Sequence, residues 1–221
     1  MRIGLLLSLI AVGLVFSCQE PREVADHTPD LRTYQNVGTK IPTETGARWL
    51  EAFNTKYNNG ARPRRLIYSV SGSLLSQSLS IPELTGVAFH YGLDENGVKH
   101  IIVIPVDSKL RLWNFVEGRI YVDANSDTII PKSTAEEWTE RFRSQNPNGI
   151  WFHYFGRNIF DEILTFPNLT SVYIAPAIND LDLSPQLLLI VGLDFNLLGR
   201  TDSEQGGVYD ASYPCPKCAV E

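Results

Sequence analysis

The stretch LTGVAFHYGLDENGVKHIIVIPVD, residues 84–107, decides the fold of this chain. Two apolar runs flank the turn DENG at 94–97, where the glycine supplies the left-handed residue that a tight hairpin requires. The second run, IIVIPV, has no polar side chain, which predicts a central strand covered by helices on at least one side. The stretch LTSVYIAPAINDLDLSPQLLLIVGLD, residues 169–194, repeats this layout. The sequence therefore predicts two related β-hairpins.

Similarity between the two halves extends outward from the hairpins. Matching residues lie 89 positions apart ahead of the hairpins, 85 apart at their start and 87 apart at their end. An internal repeat of this kind indicates a duplicated structural unit, here of about 85 to 90 residues. We expect the two units to span 42–130 and 131–221. The clearest pairs are Pro42 and Pro131, Thr45 and Thr134, Trp49 and Trp138, Phe53 and Phe142, Leu84 and Leu169, and Asp107 and Asp194.

Each unit predicts the same order of elements: a helix, a short strand, a second helix and the hairpin. In the first unit a helix over roughly 44–57 places Trp49 and Phe53 four residues apart, on one face. In the second unit the pattern Ser133-x-x-Glu136 predicts a capping box at the start of the corresponding helix. The fold class that follows is α+β, with two tandem pseudo-repeats that share one mostly antiparallel sheet.

The N-terminal stretch MRIGLLLSLIAVGLVFSC has the layout of a secretory signal peptide over residues 1–17. Arg2 precedes an apolar run, 3–16, that is shorter than the roughly 20 residues a spanning helix needs. The sequence VFSC at 15–18 resembles the lipobox of bacterial lipoproteins, which implies that Cys18 is diacylated and becomes the mature N-terminus. Plain secretion, with Cys18 as a buried thiol, is the alternative.

Residues 18–41 are polar, contain several prolines and show no sustained apolar period. They predict a flexible stalk between the lipid and the first unit. Gln19 is not the Asp that resembles an inner-membrane retention signal. We therefore expect an outer-membrane lipoprotein, and the sequence leaves open which leaflet it faces.

Charge and motif content exclude several classes of function. The chain has 19 Lys and Arg against 25 Asp and Glu, a net charge of −6, which argues against nucleic acid as a partner. It has no Gly-x-Ser-x-Gly elbow, no His-Glu-x-x-His pair and no phosphate-binding glycine loop. A hydrolase assembled from carboxylates that meet only in the fold stays open as a third possibility. We assign no catalytic residue, no cofactor and no metal.

The motif Cys215-Pro216-Lys217-Cys218 carries the most reactive side chains of the sequence. In an oxidising envelope such a pair forms a structural disulfide, half of a metal site or a redox pair. With three residues after Cys218, no helix can follow to stabilise a thiolate, and the four histidines have no paired spacing for zinc. We favour a disulfide between Cys215 and Cys218 that pins the C-terminal tail, with metal handling and redox exchange as the alternatives.

The pattern Asp123-x-Asn125-x-Asp127 begins like a calcium-binding loop, because alternating oxygen ligands suit a hard cation. Two of the defining positions fail, however. Thr128 replaces the glycine at the sixth position and Thr134 replaces the glutamate at the twelfth. We interpret this segment as a solvated turn.

The histidines are interpreted as structural. A hairpin that turns at 94–97 places His100 beside Tyr91, so that His90 and His100 lie on opposite faces of the sheet and do not share an ion. His153 belongs to the aromatic-rich stretch 150–155. Such a stretch lines a binding groove or packs in a core, and core packing is the interpretation we favour.

The mature chain resembles a family of uncharacterised Bacteroidota lipoproteins. The resemblance rests on the tether at Cys18, on the segment LLSQSLSIPELTGVAFHYGLDENGVKHIIVIPVD at 74–107, and on the ending YPCPKC at 213–218, where the family commonly has a similar Cys-Pro-x-x-Cys. It implies an envelope location and the same fold, and it brings no activity, substrate or cofactor. We expect a lipid-anchored, non-enzymatic binding or accessory module. The alternative is an envelope thiol or metal-handling protein that works through Cys215 and Cys218.

Overall fold

Helices and antiparallel strands alternate along the chain in a computed structural model. The structure describes residues 31–58, 67–192 and 206–210, together with the backbone of 213–215. The five helices in these residues are α1 (Leu31–Gln35), α2 (Thr43–Asn58), α3 (Gly72–Leu79), α4 (Lys132–Gln145) and α5 (Arg157–Ile163). The eleven strands are β1 (Thr39–Ile41), β2 (Tyr68–Ser71), β3 (Leu84–Leu93), β4 (Lys99–Asp107), β5 (Tyr121–Asp123), β6 (Thr128–Ile130), β7 (Phe152–Gly156), β8 (Ser171–Ile178), β9 (Pro185–Val191), β10 (Gly207–Asp210) and β11 (Tyr213–Cys215). The predicted α+β class is confirmed.

These strands form two sheets, not the single sheet that we predicted. One has the order β1-β10-β9-β8-β2 and is named the α2 sheet, because α2 packs on its outer face. The other has the order β11-β7-β3-β4-β5-β6 and is named the α4 sheet, because α4 packs on its outer face. The hairpin strands are apolar on both faces, so each hairpin needs a cover on each side. Two stacked sheets supply the inner cover that one shared sheet cannot provide.

Both of the predicted units contribute strands to both sheets. Strand β2 belongs to the unit 42–130 but pairs with β8, whereas β7 belongs to the unit 131–221 but pairs with β3. All the pairings in the described part of the chain are antiparallel. Neither sheet is therefore built from one unit alone.

The main core lies between the two sheets. Inner-facing side chains of β3 and β4 meet those of β8 and β9 there, together with side chains of α3 and α5. Phe89, Phe155 and Phe160 contact one another with ring centroids 5.5 to 6.4 Å apart. Burying each such ring contributes roughly 1.5–3 kcal/mol. Smaller cores fill the space under α4 and under α2.

The two long helices begin at slightly different points from those predicted. α2 confirms the helix expected over 44–57 and extends it by one residue at each end. The capping box expected at Ser133 is wrong, because α4 begins at Lys132 with Pro131 as its N-cap residue and no side-chain cap bond. The Pro131 carbonyl accepts a hydrogen bond from the backbone N–H of Ala135, which places the N-cap two residues before Ser133.

The flexible stalk expected over 18–41 is wrong for residues 31–41. Leu31, Tyr34 and Val37 pack against the core under α4, and β1 pairs with β10. These apolar side chains lie three residues apart, and their partners on β3 and β7 are about 50 to 120 residues away, so no local pattern shows that they pack. The signal peptide, Cys18 and the rest of the predicted stalk lie outside the described residues. Of the helices within those residues, none combines the length and apolar character needed to cross a bilayer.

Candidate functional site

A cleft opens on the outer side of the α4 sheet, between α4 and the segment 108–120 that joins β4 to β5. Its volume is about 340 Å³. Two aromatic, two acidic, one basic and one amide side chain line it: Trp113, Phe115, Glu136, Glu140, Arg143 and Asn114. Most of the surface inside the cleft is polar, and the two aromatic rings supply the smaller part. A concave site with convergent polar groups is a typical place for a small ligand. We refer to this feature as the α4 cleft.

Helical spacing explains the α4 side of the cleft. Glu136, Glu140 and Arg143 are four and three residues apart, so they project from one stripe of the helix. Lys132 ties this stripe to the opposite wall, because its Nζ lies 3.3 Å from Glu136 and 3.0 Å from Glu117 of the segment 108–120. The helix and the segment are thus bridged at one end of the cleft.

Aromatic contacts fix the opposite wall. The Trp113 ring makes edge contacts with Trp151 and Phe152, at centroid distances of 5.4 and 4.6 Å. The Arg143 guanidinium carbon lies 5.8 Å from the centre of the Trp113 ring, a cation–π contact that crosses the cleft. Phe115 packs on Tyr121 at 5.3 Å.

The buried Asp107 side chain anchors the segment 108–120 to the end of β4. Asp107 ends β4 and accepts hydrogen bonds from both Arg111 and Arg119, while Arg119 also donates to the carbonyl of Pro105 at 2.9 Å. Burial acts to raise the pKa of the Asp107 carboxyl, but the two guanidinium groups outweigh it and hold that pKa below its ordinary value. The Tyr121 hydroxyl adds a hydrogen bond of 2.9 Å to the carbonyl of Val116.

His90 lies behind the aromatic wall. Its ring stacks on Phe152 at 4.5 Å and meets Trp113 edge-on at 6.0 Å. Burial, aided by the charge of Arg143, lowers the pKa of His90 to about 3, so the ring is neutral. One of its nitrogens bonds the backbone of Leu112, and its Nε2 has no hydrogen-bond partner among the described residues.

The predicted placement of His90 and His100 on opposite faces is wrong. Leu93 pairs with Lys99 and Gly92 pairs with His100, so the loop has five residues, 94–98, and both histidines face α4. The reason is the bond from the Asp94 N–H to the Val98 carbonyl, at 3.0 Å, which adds one residue to the loop. A one-residue change of register moves a side chain to the other face of a sheet.

His100 is held between two carboxylates. Its Nδ1 lies 3.0 Å from Asp123 Oδ1, its Nε2 lies 3.7 Å from Asp94 Oδ2, and its ring lies 4.1 Å from that of Trp138. The contact between Nδ1 and Asp123 fixes the orientation of the ring. No sequence pattern indicates this cluster, because Asp94 belongs to a predicted turn and Asp123 to a segment interpreted as a solvated turn.

The residues of the calcium-like pattern make separate contacts. Asp123 accepts hydrogen bonds from Ser126 Oγ at 2.6 Å and from the backbone N–H of Asn125 at 3.0 Å. Asp127 accepts one from the backbone N–H of Ser71, at 2.8 Å. In the ranges that the structure covers, no three or more His, Cys, Asp or Glu side chains gather as metal ligands would.

His153 and Cys215 lie on the neighbouring strands β7 and β11 of the α4 sheet. His153 is buried on β7, as expected for core packing, and burial lowers its pKa to about 3. Neither of its ring nitrogens has a hydrogen-bond partner in the described structure. Cys215 lies on β11, and its backbone is opposite Phe152. Cys218 lies outside the described residues, so the disulfide stays a prediction.

The chain was also compared with known proteins. No protein-family model, curated protein or solved structure matches it. Its function has to be argued from the α4 cleft itself.

Proposed function

We propose that this chain is a non-enzymatic binding module that holds a saccharide in the α4 cleft. The proposal rests on one observation: Trp113 and Phe115 line the same cleft of about 340 Å³ as four hydrogen-bonding side chains. A sugar ring has an apolar face that packs on aromatic rings and hydroxyl groups that need directed partners. The cleft offers both kinds of contact.

Donors and acceptors in the cleft are balanced for hydroxyl groups. Glu136 and Glu140 accept hydrogen bonds, Arg143 donates them, and Asn114 does both. Glu136 and Glu140 project side by side from one stripe of α4, so they do not flank a ligand from opposite sides as the two carboxylates of a glycoside hydrolase do. Glu136 is also paired with Lys132, at 3.3 Å. This arrangement supports binding without turnover.

We further propose that the module is tethered to the outer membrane by lipid at Cys18. The support is the apolar segment 3–16 followed by the lipobox-like VFSC. Two or more acyl chains hold a protein stably on a membrane. Mass spectrometry of the mature protein tests this. We expect an N-terminal peptide that starts at a diacylated Cys18, and Cys18→Ala should release the protein from the membrane fraction.

Duplication of one unit is also part of the proposal, because the strand registers support it. Gly86 lies opposite Gly156 in the α4 sheet, and Ser171 lies opposite Ser71 in the α2 sheet. Both 86 and 171, and both 71 and 156, are 85 residues apart, as in the sequence match. Each unit also has a positive-φ residue directly before its hairpin, Glu83 at φ 55° and Asn168 at φ 57°.

Isothermal titration with chitotetraose and with maltotetraose tests the binding function. Trp113→Ala should weaken the affinity for the bound sugar at least about tenfold, because it removes the stacking surface. Glu140→Gln should weaken it by roughly three- to tenfold through the loss of one acceptor. The matched control is Glu51→Gln, an exposed acid at the corresponding position of α2, which should leave the affinity unchanged. Binding of neither sugar, or equal loss in the control, would contradict the proposal.

The alternative is a thiol or metal-handling role for Cys215 and Cys218. Cys215 is on an edge strand paired with β7, not at a helix N-terminus that would stabilise its thiolate. Thiol labelling of the purified chain separates the two functions. We expect an oxidised pair that does not react, whereas a titratable or metal-loaded pair favours the alternative.

A further inference from the structure

We propose that the tip of the second hairpin, residues 179–184, is a docking site for a partner protein with an apolar pocket and a basic rim. The tip presents Leu181 and Leu183 to solvent, 88% and 66% exposed, on either side of Asp182. These are the two most exposed large apolar side chains among the described residues. The tip is separate from the α4 cleft, and the inference does not depend on the saccharide proposal.

Backbone strain at Leu183 points to selection for its side chain. Leu183 has φ 60°, a left-handed conformation that disfavours residues with a Cβ. The first hairpin has a positive-φ residue at the same place, two positions before the returning strand, and there the residue is Gly97 at φ 76°. Glycine would adopt this conformation at Leu183 without strain. A costly residue at an exposed position indicates a function outside the fold.

Leu110 is a second leucine with a positive φ, and its conformation has a structural explanation. It also has a positive φ, 49°, but its side chain is 8% exposed and packs in the core under α4. Burial of the leucine offsets the backbone cost at that position. At Leu183 no burial in the described structure offsets the cost, so the compensating contact is expected from another molecule.

The tip is braced in one conformation. Asp180 accepts hydrogen bonds from Trp49 Nε1 at 2.8 Å and from Arg48 Nε at 2.9 Å, which tie the tip to α2. The Asn179 carbonyl accepts from the Leu183 N–H at 2.9 Å. A braced tip loses little conformational freedom on docking, which favours affinity.

Charge identifies the class of partner. The Asp182 carboxylate lies between the two leucines, and hydrogen bonds from Ser184 hold its pKa below the ordinary value. An ionised acid beside the leucines disfavours insertion among anionic lipid headgroups. A protein pocket that is apolar at its centre and cationic at its rim satisfies both features.

Site-specific photo-crosslinking in cells that make the full chain tests the proposal. The crosslinker p-benzoylphenylalanine replaces Pro185, the first residue of β9, and in a matched protein it replaces Lys99, the first residue of β4. We expect a discrete protein adduct from position 185 and none from 99. Addition of Leu183→Gly or Leu181→Ser should reduce the adduct at least about tenfold, as truncation of a hot-spot residue does.

The melting temperatures of the same variants show whether a lost adduct results from misfolding. Leu183→Gly should fold and melt roughly 2–4 °C higher than the natural chain, because it removes the strained leucine. An adduct whose protein partner, once purified, binds the natural chain more tightly than Leu183→Gly, and less tightly as salt rises, supports the proposal. Adducts with lipid or with a second copy of this chain would overturn it, as would adduct yields that do not respond to the leucine substitutions.

Discussion

The outer faces of the two sheets share one plan and differ in the side chains that fill it. His90 on the α4 sheet lies opposite Ile102, whereas Ala175 on the α2 sheet lies opposite Leu188 at the corresponding place. Under α2 the fit is so close that a Cβ on Gly46 would come 2.7 Å from Val208. Small apolar residues thus let one helix close on its sheet.

The α4 face carries His90 and His100 where the corresponding register positions of the α2 face carry Ala175 and Gln186. Trp138 packs on His100, and Trp113 packs on Phe152. Bulky rings and the segment 108–120 fill the space beside α4 unevenly and leave the α4 cleft. Residues 193–205, which join β9 to β10 on the other sheet, lie outside the described residues. One framework thus forms a packed face on one side and, as we propose, a binding face on the other.

The largest expected difference between the two faces is the contribution of their ion pairs to the unfolding free energy. Asp107→Asn leaves Arg119, 12% exposed, without its carboxylate, and breaking a buried pair of this kind costs about 3–5 kcal/mol of unfolding free energy. Asp180→Asn on the α2 side breaks a pair whose Arg48 is 56% exposed, so it should cost less than about 1 kcal/mol from the ion pair. Urea unfolding measures both. Equal costs would show that the two contacts are alike.

Acid should destabilise the protein partly through His90 on the α4 side. Unfolded histidine takes up a proton below its ordinary pKa of 6.5, whereas burial keeps folded His90 neutral down to about 3. Stability is therefore complete above pH 6.5 and is lost as the pH falls between 6.5 and 3. His90→Phe should reduce the dependence of unfolding free energy on pH by one proton, about 1.4 kcal/mol per pH unit.

Buried His153 and half-buried Asp210 also contribute to the dependence of the unfolding free energy on pH. His153 behaves like His90, because burial lowers its pKa to about 3 as well. Asp210 on the α2 sheet acts in the opposite direction, because burial and the charge of Asp182 raise its pKa from 3.8 to about 7. The folded acid keeps its proton where the unfolded one has lost it. The Asp210 carboxyl therefore lowers the unfolding free energy as the pH rises from 3.8 to about 7. A slope that His90→Phe leaves unchanged between pH 4 and 6 would show that His90 is already charged when folded.

The smallest effect on stability is expected at Lys132, where the effect on binding should be larger. Its pairs with Glu117 and Glu136 are largely exposed, so Lys132→Gln should cost less than about 1 kcal/mol in unfolding free energy. The substitution removes the ion pair that links the segment 108–120 to α4 at one end of the cleft. Saccharide affinity, measured by titration calorimetry, should fall by roughly threefold or more. An unchanged affinity would show that the bridge does not shape the site.

Local patterns in the sequence were enough to predict the hairpins and the long helices. The apolar runs at 84–107 and 169–194 form β3–β4 and β8–β9, and Trp49 lies on a helix as expected. The two-sheet arrangement could not be predicted, because it depends on the pairing of β2 and β7 with strands of the other unit. These pairings join residues 62 to 106 positions apart, and no local period in the sequence records them.

The cleft was missed for a different reason. Its aromatic wall lies on the segment 108–120, which has neither an element of regular structure nor a motif. The wall is fixed by Asp107, which gathers Arg111 and Arg119 only once the strand ends are in place. The register of His100 was missed because one added loop residue reverses every side chain beyond it.

The four tryptophan indoles provide the most direct test of the difference between the two faces. Their N–H signals can be followed by ¹H–¹⁵N NMR while chitotetraose and maltotetraose are titrated into the full chain. We expect the signal of Trp113 to move until the site is saturated and the signal of Trp49, which lies between α2 and its sheet, to stay in place. A titration in which Trp113 does not move with either sugar, or in which Trp49 moves as far, would contradict the assignment of the α4 cleft as the binding site.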